Sequence, residues 1–164
     1  MVQFTRKITF FLVFLALPLF AEQVVVTADN FFADEIKLES VLTGNVNVKK
    51  GSFDTLDSDK ITIYFDAEKQ PTKYIATGNA RFKILINESH YNGKGDELTY
   101  IPNEDRYILT GNAWIEEVET KREVFGDIIR ISQLDGKYEV ESFRNRQAPD
   151  KKPARLIFQV EDKN

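Results

Sequence analysis

The chain contains no cysteine. Disulfides, iron–sulfur clusters, thiolate zinc sites and cysteine nucleophiles are therefore excluded together. One histidine, His90, rules out multi-histidine metal sites and most histidine-dependent proton relays. Eight glycines and five prolines in 164 residues are too few for a collagen-like or linker-dominated chain. Positive charge is short as well. Lys and Arg number 22 against 26 Asp and Glu, a net charge of −4. General affinity for nucleic acid needs clustered cations in excess, so no nucleic-acid partner is expected. Beyond residue 21 no stretch carries a 3.6-residue apolar stripe over three turns, which excludes helical bundles and helical repeats. The composition suits one globular domain and not two well-cored ones.

Residues 1–21 stand apart from the rest of the chain. Arg6 and Lys7 precede an apolar run from Ile8 to Phe20. A helix of that length rises about 20 Å, short of the roughly 30 Å hydrocarbon core. Pro18 and the small Ala21 suit the end of a signal peptide, with cleavage expected after Ala21. The mature chain would then have 143 residues, a net charge of −6 and a location outside the cytoplasm. The alternative is retention of residues 8–20 as a membrane anchor.

The remainder alternates apolar and polar residues at period two, the signature of half-buried strands. Such sets are Val46 and Val48; Ile61, Ile63 and Phe65; Phe82, Ile84 and Ile86; Leu98 and Tyr100; and Leu156, Phe158 and Val160. Turn formers separate them. They are Glu68-Lys69-Gln70-Pro71, Asn92-Gly93-Lys94-Gly95, Pro102-Asn103-Glu104-Asp105 and Asp135-Gly136.

An internal repeat overlies the alternation. Thr-Gly-Asn occurs at residues 43–45, 77–79 and 110–112, with the glycines 34 and 33 residues apart. A second column, out of phase, begins at Asp29, Asp59, Asp96 and Asp127. Asp29 to Gly44 and Asp96 to Gly111 are 15 residues each, and Asp59 to Gly78 is 19, the longer unit holding the turn at Ala67–Pro71. Two columns with a common period predict stacked two-strand units, each with too little core to stand alone. A glycine at a strand entry would supply the bend.

These residues resemble the OstA-like family. The matching segments are Val26-Thr27-Ala28-Asp29-Asn30-Phe31, Leu42-Thr43-Gly44-Asn45-Val46, Ile75-Ala76-Thr77-Gly78-Asn79-Ala80 and Leu109-Thr110-Gly111-Asn112-Ala113. The resemblance covers roughly residues 24 to 143, and its small periplasmic member is the best match. It implies an all-β fold, an elongated, twisted, open β-jelly roll built from repeated two-strand units. Residues 22–144 would form that domain, and 145–164 a C-terminal tail with a final strand. It also implies a non-enzymatic lipopolysaccharide-binding transport protein that bridges inner and outer membranes and shields lipid A acyl chains in an apolar groove. No cofactor is implied. Implied partners are an LptC-like inner-membrane domain, an LptD-like outer-membrane domain and further copies joined head to tail. An inner-membrane-anchored LptC-like adaptor of the same system is the alternative.

On this reading the groove is lined by Val46, Val48, Ile61, Ile63, Phe65, Phe82, Ile84, Ile86, Leu98 and Tyr100, with Trp114 and Ile129 as extensions. An acyl chain gains about 0.8 kcal/mol per methylene removed from water, so a continuous apolar trough suits such a cargo. Val24, Val25 and Val26 near the mature start, and Leu156, Ile157 and Phe158 near the end, are apolar enough to add a strand to a partner's sheet edge. Glu116, Glu117 and Glu119 read as a solvated acidic face, and His90 as a loop residue.

Overall fold

The computed structural model describes residues 23–143 and 149–160. The expected signal peptide lies outside the described residues. Among the described residues ten strands form one antiparallel sheet. They are β1 (Val24–Thr27), β2 (Asn30–Asp34), β3 (Glu39–Lys50), β4 (Asp54–Phe65), β5 (Pro71–Ile86), β6 (Ser89–Ile101), β7 (Arg106–Glu117), β8 (Arg122–Ser132), β9 (Lys137–Glu141) and β10 (Arg155–Ile157). Strands β3 to β8 follow one another as a meander of long hairpins. A 3₁₀ turn, Pro102–Glu104, joins β6 to β7, with Asp105 left-handed at its end.

The pairing of the long strands is interrupted near their middles. The registers shift between Thr43 and Val46, between Thr77 and Ala80 and between Thr110 and Ala113. At each shift a Gly-Asn pair is left-handed: Gly44 and Asn45, Gly78 and Asn79, Gly111 and Asn112. Glycine accepts this conformation freely and asparagine more readily than other residues. The tripeptide thus lies within strands as a β-bulge, not at their entry.

The two sequence columns meet at these bulges. Asp29 faces Gly44, Asp59 faces Gly78 and Asp96 faces Gly111, and a Cβ built on any of the three glycines would collide with the aspartate. Asn45, Asn79 and Asn112 donate their side-chain amides to those carboxylates, at 2.8, 3.3 and 3.0 Å. Each aspartate therefore latches onto the bulge of the strand next to it. Asp127 makes a related contact just beyond β9, accepting the Phe143 N–H at 2.7 Å where a Gly-Asn pair would stand.

The row of bulges crosses the sheet and creases it. One half holds Leu42, Ile61, Ala76, Leu98, Leu109, Ile129 and Ile131. The other holds Val46, Ala80, Phe82, Ile84, Ala113 and Ile115, and together they form one buried core. A single sheet can bury a face this way only by folding on itself, which gives the open, jelly-roll-like arrangement.

Asn92-Gly93-Lys94-Gly95 is a correction to the sequence reading: it lies inside β6 and is not a turn. Gly93 is there because any side chain would fall on the Phe82 ring of the neighbouring strand. His90 likewise lies in β6, not in a loop, with Nδ1 against Glu119 Oε1 and its ring edge-on to Phe53.

The two ends of the sheet are built differently. At the start, β1 and β2 pair with the two halves of β3 and act as one strand broken at the crease. At the far end, β9 pairs with one half of β8 and β10 with the other. Both run antiparallel to β8 along the same edge, so β9 and β10 are successive parts of one lane with residues 142–154 between them in sequence.

Candidate functional site

The interior is apolar, and much of it is filled. Val46, Ile61, Phe82, Ile84, Leu98 and Ile129 are buried in the core, and Val48, Ile63 and Ile86 pack against it half-buried. Tyr100 stacks on Tyr107, ring centroids 4.4 Å apart, and Tyr74 lies 6.0 Å from Tyr100. Burial holds the Tyr107 phenol far above the ordinary tyrosine range. Phe65 sits at one end of the sheet, lining a small cleft of about 170 Å³ with Leu38 and Ala33.

Trp114 departs from the groove set. It falls between Ala113 and Ile115, both buried in the core, and so points to the opposite face. There its indole N–H donates to Glu123 at 3.0 Å. Alternation assigns Ala113 and Ile115 inward and leaves the larger residue outside.

Open space lies instead at the C-terminal end. A cavity of about 690 Å³ separates the two halves of the sheet there. Tyr138 and Val140 of β9 form one wall; Tyr91, Ile115 and Val124 form the other; Leu156 and Phe158 stand at the mouth. None of the twelve expected groove residues lines it. Leu156 and Phe158, expected at an end-to-end contact, do. Strand parity could have found Ile115, Val124 and Val140, because each shares a face with a core residue. The cavity lies where the last lane of the sheet is shared between the short strands β9 and β10.

The polar groups at this cavity sit at its rim. Arg122 and Glu117 lie 3.7 Å apart. Burial, reinforced by the nearby Tyr138 and Glu117, pushes the Tyr91 phenol up to about 12. Glu116 accepts the Asn92 amide and Glu119 the His90 N–H, so the acidic cluster is tied to β6 rather than converging on a reacting centre. Among the described residues no group of His, Asp and Glu could hold a metal ion. No helix among them is long and apolar enough to cross a membrane.

Both sheet edges are exposed and apolar. Among the described residues Val24, Val25 and Val26 pair only with β3, and Leu156 and Ile157 only with β8. Phe158 comes directly after them and is 56% exposed. Among the described residues no strand pairs with the outer row of N–H and C=O groups of either edge strand.

One creased antiparallel sheet with an apolar interior open at its end defines an open β-jelly roll of the OstA-like type. Residues 25–137 match the family model described as LptA/(LptD N-terminal domain) LPS transport protein, and the chain belongs to that family. It is also similar to the crystal structure of LptH, described as the LptA homologous periplasmic component of the conserved lipopolysaccharide transport device from Pseudomonas aeruginosa. The TM-score is 0.68 at 17% identity, covering 86% of this chain and 96% of that one. No curated protein matches by sequence.

Proposed function

We propose that the chain carries lipopolysaccharide through the periplasm as an LptA-type bridge between inner and outer membranes. Lipid A acyl chains lie between the two halves of the sheet. The observation that carries this reading is the 690 Å³ cavity, walled by Tyr91, Ile115, Val124, Tyr138 and Val140 and open at the C-terminal edge. Its volume falls inside the range of about 300–1,000 Å³ typical of small-molecule sites. A dozen methylenes sheltered there would gain on the order of 10 kcal/mol.

Residues 1–21 direct export and are removed after Ala21. The exposed edges β1 and β10 dock by strand addition, to an LptC-like domain on one side, an LptD-like domain on the other, and further copies between. Such head-to-tail contacts do not close, so rods of varying length form.

The test is lipid binding by the purified full-length mature protein. Val124→Glu places a carboxylate on the cavity wall, where an acyl chain would have to desolvate it. Loss of at least tenfold in affinity for lipopolysaccharide is expected, with the far-UV spectrum retained. Undiminished binding by the folded variant would refute the assignment of the cavity.

A further inference from the structure

The outer face carries a second cleft, of about 630 Å³, that the lipid reading leaves unused. Its floor is one in-register row across four strands. Lys94 of β6 is opposite Trp114 of β7, Trp114 is opposite Phe125 of β8, and Phe125 is opposite Arg155 of β10. The Lys94 ammonium lies 5.5 Å from the Trp114 ring centroid, and the Arg155 guanidinium 4.2 Å from that of Phe125. Lys151 and Lys152, from the segment leading into β10, form the wall.

The charge here runs against that of the chain. Four cations line the cleft in a protein with more acids than bases. Among the described residues none of the four lies within ion-pair distance of a carboxylate. Two aspartates share the cleft, and the carboxylate of one, Asp127, already accepts the Phe143 N–H. Ammonium groups converging from a strand and a loop, beside one guanidinium, suit a phosphate, which Lys binds as a point charge and Arg as a fork. The aromatic pair beneath holds two of these cations, the Lys94 ammonium over the Trp114 ring and the Arg155 guanidinium over that of Phe125.

We propose that this cleft binds a phosphate monoester. Lys151, Lys152, Lys94 and Arg155 hold the phosphate, and Trp114 and Phe125 seat the Lys94 and Arg155 heads beneath it. Free sugar phosphates and the phosphorylated headgroup of a lipid share this chemistry. The site stands on the outer face, and of its four cations only Arg155 also lines the interior cavity.

The chain has one tryptophan, Trp114, so its fluorescence reports on this cleft directly. The full-length mature protein is titrated with glucose 6-phosphate, and separately with diphosphorylated lipid A in detergent micelles. Glucose and dephosphorylated lipid A are the controls. A saturable emission change is expected with a phosphorylated probe and not with its control, weakening as salt is raised. The double variant Lys151→Gln/Lys152→Gln, altered only at exposed side chains, should raise the apparent Kd at least fivefold. A response to glucose 6-phosphate assigns the site to soluble ligands, and a response to lipid A alone assigns it to the headgroup. No saturable change with either phosphorylated probe would overturn the proposal, as would an unaltered response in the double variant. The Val124→Glu protein should keep the glucose 6-phosphate response, which separates failure of this site from failure of the cavity.

Discussion

Substituting Gly78 by alanine tests whether the crease is held by aspartate against glycine. Gly78 has φ +78°, and a Cβ there would stand 2.7 Å from the Cβ of Asp59 and 2.9 Å from its Cγ. Two costs add. A left-handed non-glycine residue costs about 1–2 kcal/mol. Forcing a methyl group into occupied space costs about 1–3 kcal/mol more. Gly136 separates the two, because its φ is +61° and nothing lies within 4 Å of a Cβ built on it. Gly136→Ala should therefore lose only the backbone part, about 1–2 kcal/mol. Gly78→Ala should lose about 2–5 kcal/mol in all. Urea unfolding monitored by circular dichroism measures both, and the m-value checks that the unfolded surface is unchanged. A double-mutant cycle sharpens the test. In an Asp59→Gly background the carboxylate and the Cβ are both gone, and Gly78→Ala should cost no more than Gly136→Ala. Equal losses for the two glycines in the parent protein would refute the reasoning, because the aspartate contact would then carry no energy.

Leu109 is fully buried, and Leu109→Ala should destabilise by about 2–5 kcal/mol in urea. Glu119 is held below its ordinary value of 4.5, chiefly by the His90 side chain and then by its backbone N–H. A depressed carboxylate stabilises above its unfolded pKa and loses that contribution as pH falls through the folded one. Glu119→Gln should therefore flatten the decline of stability below about pH 4.5, measured by thermal melts between pH 6 and pH 3. Tyr91 works in the opposite sense. Its raised pKa favours the folded state at neutral pH, and that contribution disappears as pH rises from 10 to about 12. Tyr91→Phe should remove one late-ionising phenol from an ultraviolet titration.

The strands and their order were legible because alternation survives wherever one face is buried, as at Ile61, Ile63 and Phe65. The periodicity of Asp and Thr-Gly-Asn was legible too, but its meaning was not. Asp59 and Gly78 lie 19 residues apart, and only the pairing of β4 with β5 brings them together. Gly93 misled for a related reason. In sequence it looks like a turn residue, whereas its role is to leave room for a ring, Phe82, on another strand. Trp114 misled by size, since a large apolar residue invites an inward placement that its small neighbour Ala113 already holds. The cavity was hidden most completely. It depends on where the chain leaves β9 and where it returns as β10, which no local pattern encodes.

The crease is written in Asp, Gly and Asn at the bulges, and the aspartates and asparagines of its three latches are exposed. The outline of the molecule and the filling of its core are thus under separate control. Core side chains can be exchanged for others of similar volume while the bend stays put. Evolutionary drift can then rewrite most of the chain and leave its shape intact, in keeping with a TM-score of 0.68 at 17% identity.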